Sequence, residues 1–204
     1  MPPVKEEIRR FKRERILEAA SQLFYERGFS GTTMDDVAGR LSVTKPFIYT
    51  YFENKHALLV AIYEMATQRL LSTLQQAMSL DGTPDEQLRD FVQRFARENM
   101  ESVMISTVFL QEEKHLDEKF LMSIRKHQHE FDRQLAELIR RGRAAGVFHV
   151  EDPTVASLAI TGMVRWLQRW YKPAGRLPVD EISRLLADMA LGAVGFRAAP
   201  RTGR

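Results

Sequence analysis

Between Thr33 and Phe52 the sequence has room for two helices, each too short to be stable in water unless it packs against something else. Thr33 offers a side-chain oxygen to cap the first, with Asp36 three residues on in a variant of the capping box. Val37, Ala38 and Leu41 give it a buried stripe, and it ends at about Arg40. A tight connection through Leu41, Ser42 and Val43 leads to Thr44, a second N-cap candidate. Lys45-Pro46 follows in a first turn, where a missing amide hydrogen costs little, and this helix runs to about Tyr51. Val37, Ala38, Val43, Ile48 and Phe52 fall where they can lock both helices onto a support.

That support precedes them. From Ile8 to Arg27 the apolar residues Ile16, Ala20, Leu23 and Phe24 recur at helical spacing, and Gly28-Phe29 supplies a left-handed exit with its hydrophobic closure. After Glu53, Asn54 can cap a longer helix marked by Leu58, Leu59, Ile62, Met65, Ala66 and Leu70, reaching about Met78. Beyond the loop Asp81-Gly82-Thr83-Pro84 the pattern predicts helices over Asp85–Glu101, Met104–His115, Glu118–Ala145, Thr154–Tyr171 and Asp180–Arg197. Alternating Val/Ile-rich runs and internal repeats are absent, so the fold class is all-α.

The net charge of +3 is small, so affinity for nucleic acid has to rest on where the basic residues sit. The chain has no cysteine, which excludes disulfides and thiolate metal sites and suits a reducing cytoplasm. The first residues lack the apolar core of a signal peptide, and no stretch approaches the roughly 20 apolar residues that span a bilayer, so a cytoplasmic protein with no membrane contact is expected. Neither a nucleophile elbow nor a phosphate loop occurs, and no enzymatic role or cofactor is expected. His115 with Asp117, and His127 with His129, are weak candidates for a metal; the latter two point about 200° apart on a helix.

Two short helices with a tight connection match the helix-turn-helix plan, whose second helix enters the major groove of double-stranded DNA. Lys45, Pro46, Phe47, Tyr49, Thr50 and Tyr51 then face outward, and three aromatics beside a lysine are not an ordinary solvated surface. Hydroxyls and the ammonium can bond phosphates, while Lys45, Phe47 and Thr50 are placed to touch base edges or thymine methyls. Thr33 and Lys55 sit at helix N-termini, where amide donors and the dipole favour a phosphate. Lys5, Arg9, Arg10, Lys12, Arg13 and Arg15 are interleaved with Glu6, Glu7 and Glu14, which reads as a solvated helix face, with a minor-groove or phosphate role as the alternative.

The segment TTMDDVAGRLSVTKPFIYTYFENKHALL resembles the DNA-binding region of the TetR family of one-component regulators, the likeness extending over Ile16 to Leu59. It includes the Gly-Phe exit, the spacing of Lys45, Tyr49 and Phe52, and the lysine opening the fourth helix. The resemblance implies that Thr33, Thr44, Lys45, Phe47, Tyr49, Thr50, Tyr51 and Lys55 contact DNA. Pro46 stands where the family often has glycine, which counts against a close backbone approach to phosphate there. It further implies a DNA-binding domain at 1–55, an effector-binding and dimerisation domain at 56–204, and a homodimer. Candidates for the two-fold seam are Leu158, Thr161, Gly162, Arg165, Met189, Gly192, Ala193 and Phe196.

Within 56–204, Phe91, Phe95, Met104, Phe109, Phe131, Met163, Trp166, Arg169 and Trp170 are candidates for an effector pocket, with an ordinary helical core as the alternative for each. The stretch WLQRWYKPAGRLPVDEI also resembles one in TetR-type regulators that respond to acyl-CoA thioesters. The expected function is a ligand-responsive repressor released from its operator by a small lipophilic or acyl-CoA-type effector. The alternative is a DNA-binding protein of the same fold that answers to a protein partner.

Overall fold

The structure, a computed structural model, describes residues 4–197, without the side chains of Val103, Ser106, Phe109, Leu110 and Lys119. Among the described residues it is all helical: α1 (Val4–Arg27), α2 (Met34–Arg40), α3 (Lys45–Tyr49), α4 (Lys55–Met78), α5 (Pro84–Glu101), α6 (Val103–Gln111), a 3-10 turn (Glu113–His115), α7 (Glu118–Ala144), α8 (Pro153–Arg165), α9 (Leu167–Trp170) and α10 (Val179–Ala193). None of these helices is long and apolar enough to cross a membrane.

Several helix starts are held by caps. Asn54 Oδ1 accepts the Ala57 N–H at 2.8 Å, and Asp152 Oδ1 accepts those of Thr154 and Val155. Several expected helices are shorter than their periodicity implied: α3 ends at Tyr49, and the Met104–His115 run ends as an α-helix at Gln111, with a 3-10 turn after it. The Thr154–Tyr171 run is interrupted at Trp166, where the ladder gives way to a shorter bond from Arg169 N–H to Trp166 O. The last helix stops at Ala193 instead of Arg197, because Gly195 takes a left-handed φ of +67° and Phe196 N–H returns to Leu191 O. A Cβ on Gly195 would lie 2.4 Å from His149 O, so this turn needs glycine.

The chain packs as two compact units that are discontinuous in sequence. One takes in the chain up to Thr67 together with Val103–Ile124; the other takes in Gln68–Ser102 together with the chain from Arg125. They are units of packing and do not coincide with a division by role at residue 55. In the first, Ile16, Leu17, Leu23 and Phe24 of α1 meet Val37, Ala38, Ile48 and Phe52, together with Leu58, Leu59, Ile62 and Tyr63 of α4. Val108, Leu116 and Ile124 complete that core, and α6 lies against α1. Removing these side chains from water is what holds the short α2 and α3 in place.

In the second unit, Leu88, Phe91, Val92 and Phe95 of α5 pack with Phe131, Leu135, Leu138 and Ile139 of α7, Ile160 and Val164 of α8, and Ile182, Leu186 and Ala190 of α10. Helices α5 and α10 run antiparallel, since Arg89 pairs with Asp188 at 2.5 Å and Arg97 with Asp180 at 2.9 Å.

Candidate nucleic-acid interface

The capping box at Thr33 forms in full. Asp36 N–H donates to Thr33 Oγ1 at 3.1 Å, while Thr33 N–H and its hydroxyl both donate to Asp36 Oδ2, at 2.8 and 2.6 Å. These bonds hold the Asp36 carboxyl below its ordinary range, the hydroxyl contributing most. The cap therefore gives α2 a firm start and engages both donors of Thr33 inside the protein.

The connection to α3 turns on Ser42, whose φ of +54° lies in the left-handed region, and Val43 N–H closes it on Ala38 O at 3.0 Å. Thr44 has the extended backbone of an N-cap, yet its hydroxyl makes no capping bond. Pro46 has no N–H to give, and that of Phe47 goes to Thr44 O. The Thr44 side chain is thus exposed and turned to no cap.

Along α3, Ile48 is fully buried and anchors the helix, while Lys45, Pro46, Tyr49 and Thr50 are exposed, Tyr49 by 46%. Phe47 and Tyr51 depart from the outward placement expected of them: both are half-buried against the first core, with their rings 5.3 Å apart. Each can still present an edge to a partner. Lys45 Nζ donates to Asp35 Oδ2 at 2.7 Å, which raises the lysine's pKa. Thr50 donates its hydroxyl to Phe47 O and keeps its lone pairs as acceptors.

The basic residues of α1 from Lys5 to Arg15 are exposed. Two of them also reach the core aromatics: the Lys12 ammonium is 5.7 Å from the Phe47 ring centroid and the Arg13 guanidinium 5.1 Å from that of Phe52. Lys55 is half-buried. Its ammonium donates to Phe29 O at 2.6 Å and lies 4.3 Å from the Phe29 ring centroid, so a free phosphate-binding role does not follow from its position.

The effector-pocket candidates separate. Phe91, Phe95 and Phe131 are buried in mutual contact in the second core, Phe91 and Phe95 stacked at 5.5 Å. Met104 belongs to the first unit and is half-buried there, and the Phe109 side chain lies outside the described residues. Met163, Trp166 and Trp170 line a surface groove of about 620 Å³ with Leu185 and Met189, Trp166 being 60% exposed. The Arg169 guanidinium lies 5.7 Å from the Trp166 ring.

Sequence reasoning passed over Gln168 and Asp132 of the second unit and gave Arg165 as a seam candidate. Gln168 Oε1 is buried and has no hydrogen-bond partner among the described residues. Burial pushes the half-buried Arg165 guanidinium below its ordinary pKa and raises that of Asp132, and each opposes the other's shift. Of the seam candidates, Leu158, Gly162, Met189, Gly192 and Ala193 are exposed, whereas Thr161 is buried and Phe196 half-buried on the core. Thr161 turns inward to bond Ser157 O at 2.9 Å.

Residues 16–62 match the family model described as bacterial regulatory proteins, tetR family, and residues 81–194 match that of the tetracyclin repressor-like C-terminal domain. The transcriptional repressor KstR2 of Mycolicibacterium smegmatis is 23% identical over 187 residues, 90% of each chain. The transcriptional activator FasR of the same species is 33% identical over 84 residues, 41% of this chain and 38% of that protein. The solved structure of AibR in complex with isovaleryl coenzyme A and operator DNA superposes with a TM-score of 0.75 at 27% identity, covering 87% of this chain and 96% of that one.

Proposed function

This chain belongs to the tetR family of bacterial regulatory proteins, which are DNA-binding transcription regulators, and from that premise we propose that it is a cytoplasmic, homodimeric repressor released from its operator by a small lipophilic effector. The observation that carries the reading is the exposed face of α3, where Thr44, Lys45, Tyr49 and Thr50 surround the buried anchor Ile48, with Phe47 and Tyr51 at its margin. Lys45 and the hydroxyls fix the register on phosphates and touch base edges; the aromatic rims meet sugar and thymine methyls. Full-length similarity to a repressor supports repression over activation.

Two subunits place their α3 helices in successive major grooves, about 34 Å apart. The exposed apolar faces of α8 (Leu158, Gly162) and α10 (Met189, Gly192, Ala193) support a seam there, because small residues admit close helix approach. Met189→Glu is expected to shift sedimentation toward the monomer and weaken DNA binding with it; a dimer unaffected by this charge would sink the seam.

For the effector, the unpartnered Gln168 Oε1 asks for a donor, and the Arg165 guanidinium, already faced by Asp132, adds a cation beside an apolar core, which suits an acyl-CoA or similar lipophilic acid. A structural neighbour holds isovaleryl coenzyme A. An effector that prefers a subunit spacing mismatched to DNA must weaken binding by linkage. Genomic footprinting gives the operators; titrating isovaleryl-CoA, longer acyl-CoAs and free coenzyme A against the bound complex tests the ligand class. Footprints absent from promoters, or complexes untouched by every thioester, would overturn the respective half of the reading.

A further inference from the structure

The exit of α1 is held by side chains that arrive from far along the chain. Phe29 N–H donates to Glu112 Oε1 at 3.1 Å, and Phe29 O accepts from Lys55 Nζ at 2.6 Å. The His115 ring lies 4.8 Å from the Phe29 ring, and His115 Nε2 is 3.4 Å from the other oxygen of Glu112. Glu112 is only 6% exposed. A carboxylate withdrawn from water to that extent is stable only when hydrogen-bonded or paired, and an apolar side chain would fill the space without that cost.

The place where Glu112 acts is specific. Gly28 has a φ of +72°, which turns the chain out of α1, and a Cβ there would lie 3.5 Å from Glu112 Oε1. Thr32 closes the same turn by donating its hydroxyl toward Gly28 O at 2.9 Å and Leu23 O at 3.2 Å. The next residue is Thr33, the cap of α2. The direction in which the reading helices leave α1 is therefore set in this turn. Tyr63 of α4 holds the same distant segment a turn earlier, its hydroxyl donating to Val108 O at 3.4 Å.

We propose that Glu112 is a positioning residue for DNA reading: with His115 and Lys55 it clamps the Gly28–Phe29 turn, so that the Val103–Ile124 segment sets the orientation of α2 and α3. The inference rests on α3 being the reading helix. It makes sequence discrimination depend on residues that touch no nucleotide. Because the segment is continuous in chain with α5 before it and with the rest of α7 after it, a change in its conformation reaches Phe29 without passing through α4.

The test uses full-length protein and a duplex enriched from a random pool by the wild type, against a scrambled duplex. Glu112→Leu keeps the volume and removes the acceptor; Glu112→Gln keeps an acceptor for Phe29 N–H. The leucine variant is expected to lose about tenfold in affinity for the enriched duplex, the scale of one charge-assisted hydrogen bond. Its affinity for the scrambled duplex and the salt dependence of both should stay unchanged, since no phosphate contact is removed. Amide exchange at Phe29 should accelerate in Glu112→Leu and stay slow in Glu112→Gln, which should also retain discrimination. Equal loss on both duplexes, or wild-type discrimination in Glu112→Leu, would overturn the proposal. A wild type that enriches no duplex would instead overturn the assignment of α3.

Discussion

Lys45 Nζ, in the first turn of α3, donates to Asp35 Oδ2 on α2 at 2.7 Å, although both side chains are well exposed. An acid on the preceding helix thus occupies the one lysine of the reading helix. The pair ties α2 to α3, and it must open or share its ammonium when a phosphate or base edge arrives. Exposed pairs of this kind contribute little to stability, so opening is easy.

Asp35→Asn is therefore expected to strengthen DNA binding by about threefold at low salt, the gain shrinking as salt screens the pair. Lys45→Ala should weaken specific binding and lower the salt slope by about one phosphate. Fluorescence anisotropy across a salt series checks both; weaker binding by Asp35→Asn would show that the pair builds the face instead of competing with DNA.

Lys55 gives the opposite expectation. Its ammonium holds Phe29 O and caps that ring, so Lys55→Met should lower the unfolding midpoint and weaken binding with the salt slope unchanged. A slope reduced by about one, with unaltered stability, would restore a direct phosphate contact.

The capping box predicts a pH dependence of known sign. The folded-state pKa of Asp36 is depressed, chiefly by the Thr33 hydroxyl and then by the Thr33 N–H. Its stabilisation is therefore complete above the ordinary carboxylate range, about 4, and is lost as pH falls through the lower folded value. In urea titrations the wild type should exceed Asp36→Asn near neutrality, the margin closing on acidification; a margin that widens in acid contradicts the box. Thr33→Ala should cost about 1 kcal/mol.

Ser42 holds a left-handed backbone that an L side chain adopts at a cost. Ser42→Gly is expected to stabilise the protein by up to about 1 kcal/mol, and Gly28→Ala, at a φ of +72°, to destabilise it by a similar amount. Thermal unfolding of the two variants should move in opposite directions.

The sequence by itself determined the local structure. The caps at Thr33 and Asn54, the glycine exit at Gly28 and the 3.6-residue apolar stripes depend on near neighbours, and each reappears in the fold. Part of the face of α3 was legible for the same reason, since helical spacing turns Tyr49 and Thr50 about 100° and 200° away from Ile48. Only tertiary structure decided which donors remain available. Phe47 in α3 and Tyr51 just past its end both turn back onto the core, and Lys55 finds Phe29 O across a turn that periodicity does not describe. The buried Glu112 looked like any surface acid at the end of a helix, and its partner stands more than 80 residues earlier. Contacts of that range arise from the packing of whole helices, and no pattern confined to one segment encodes them.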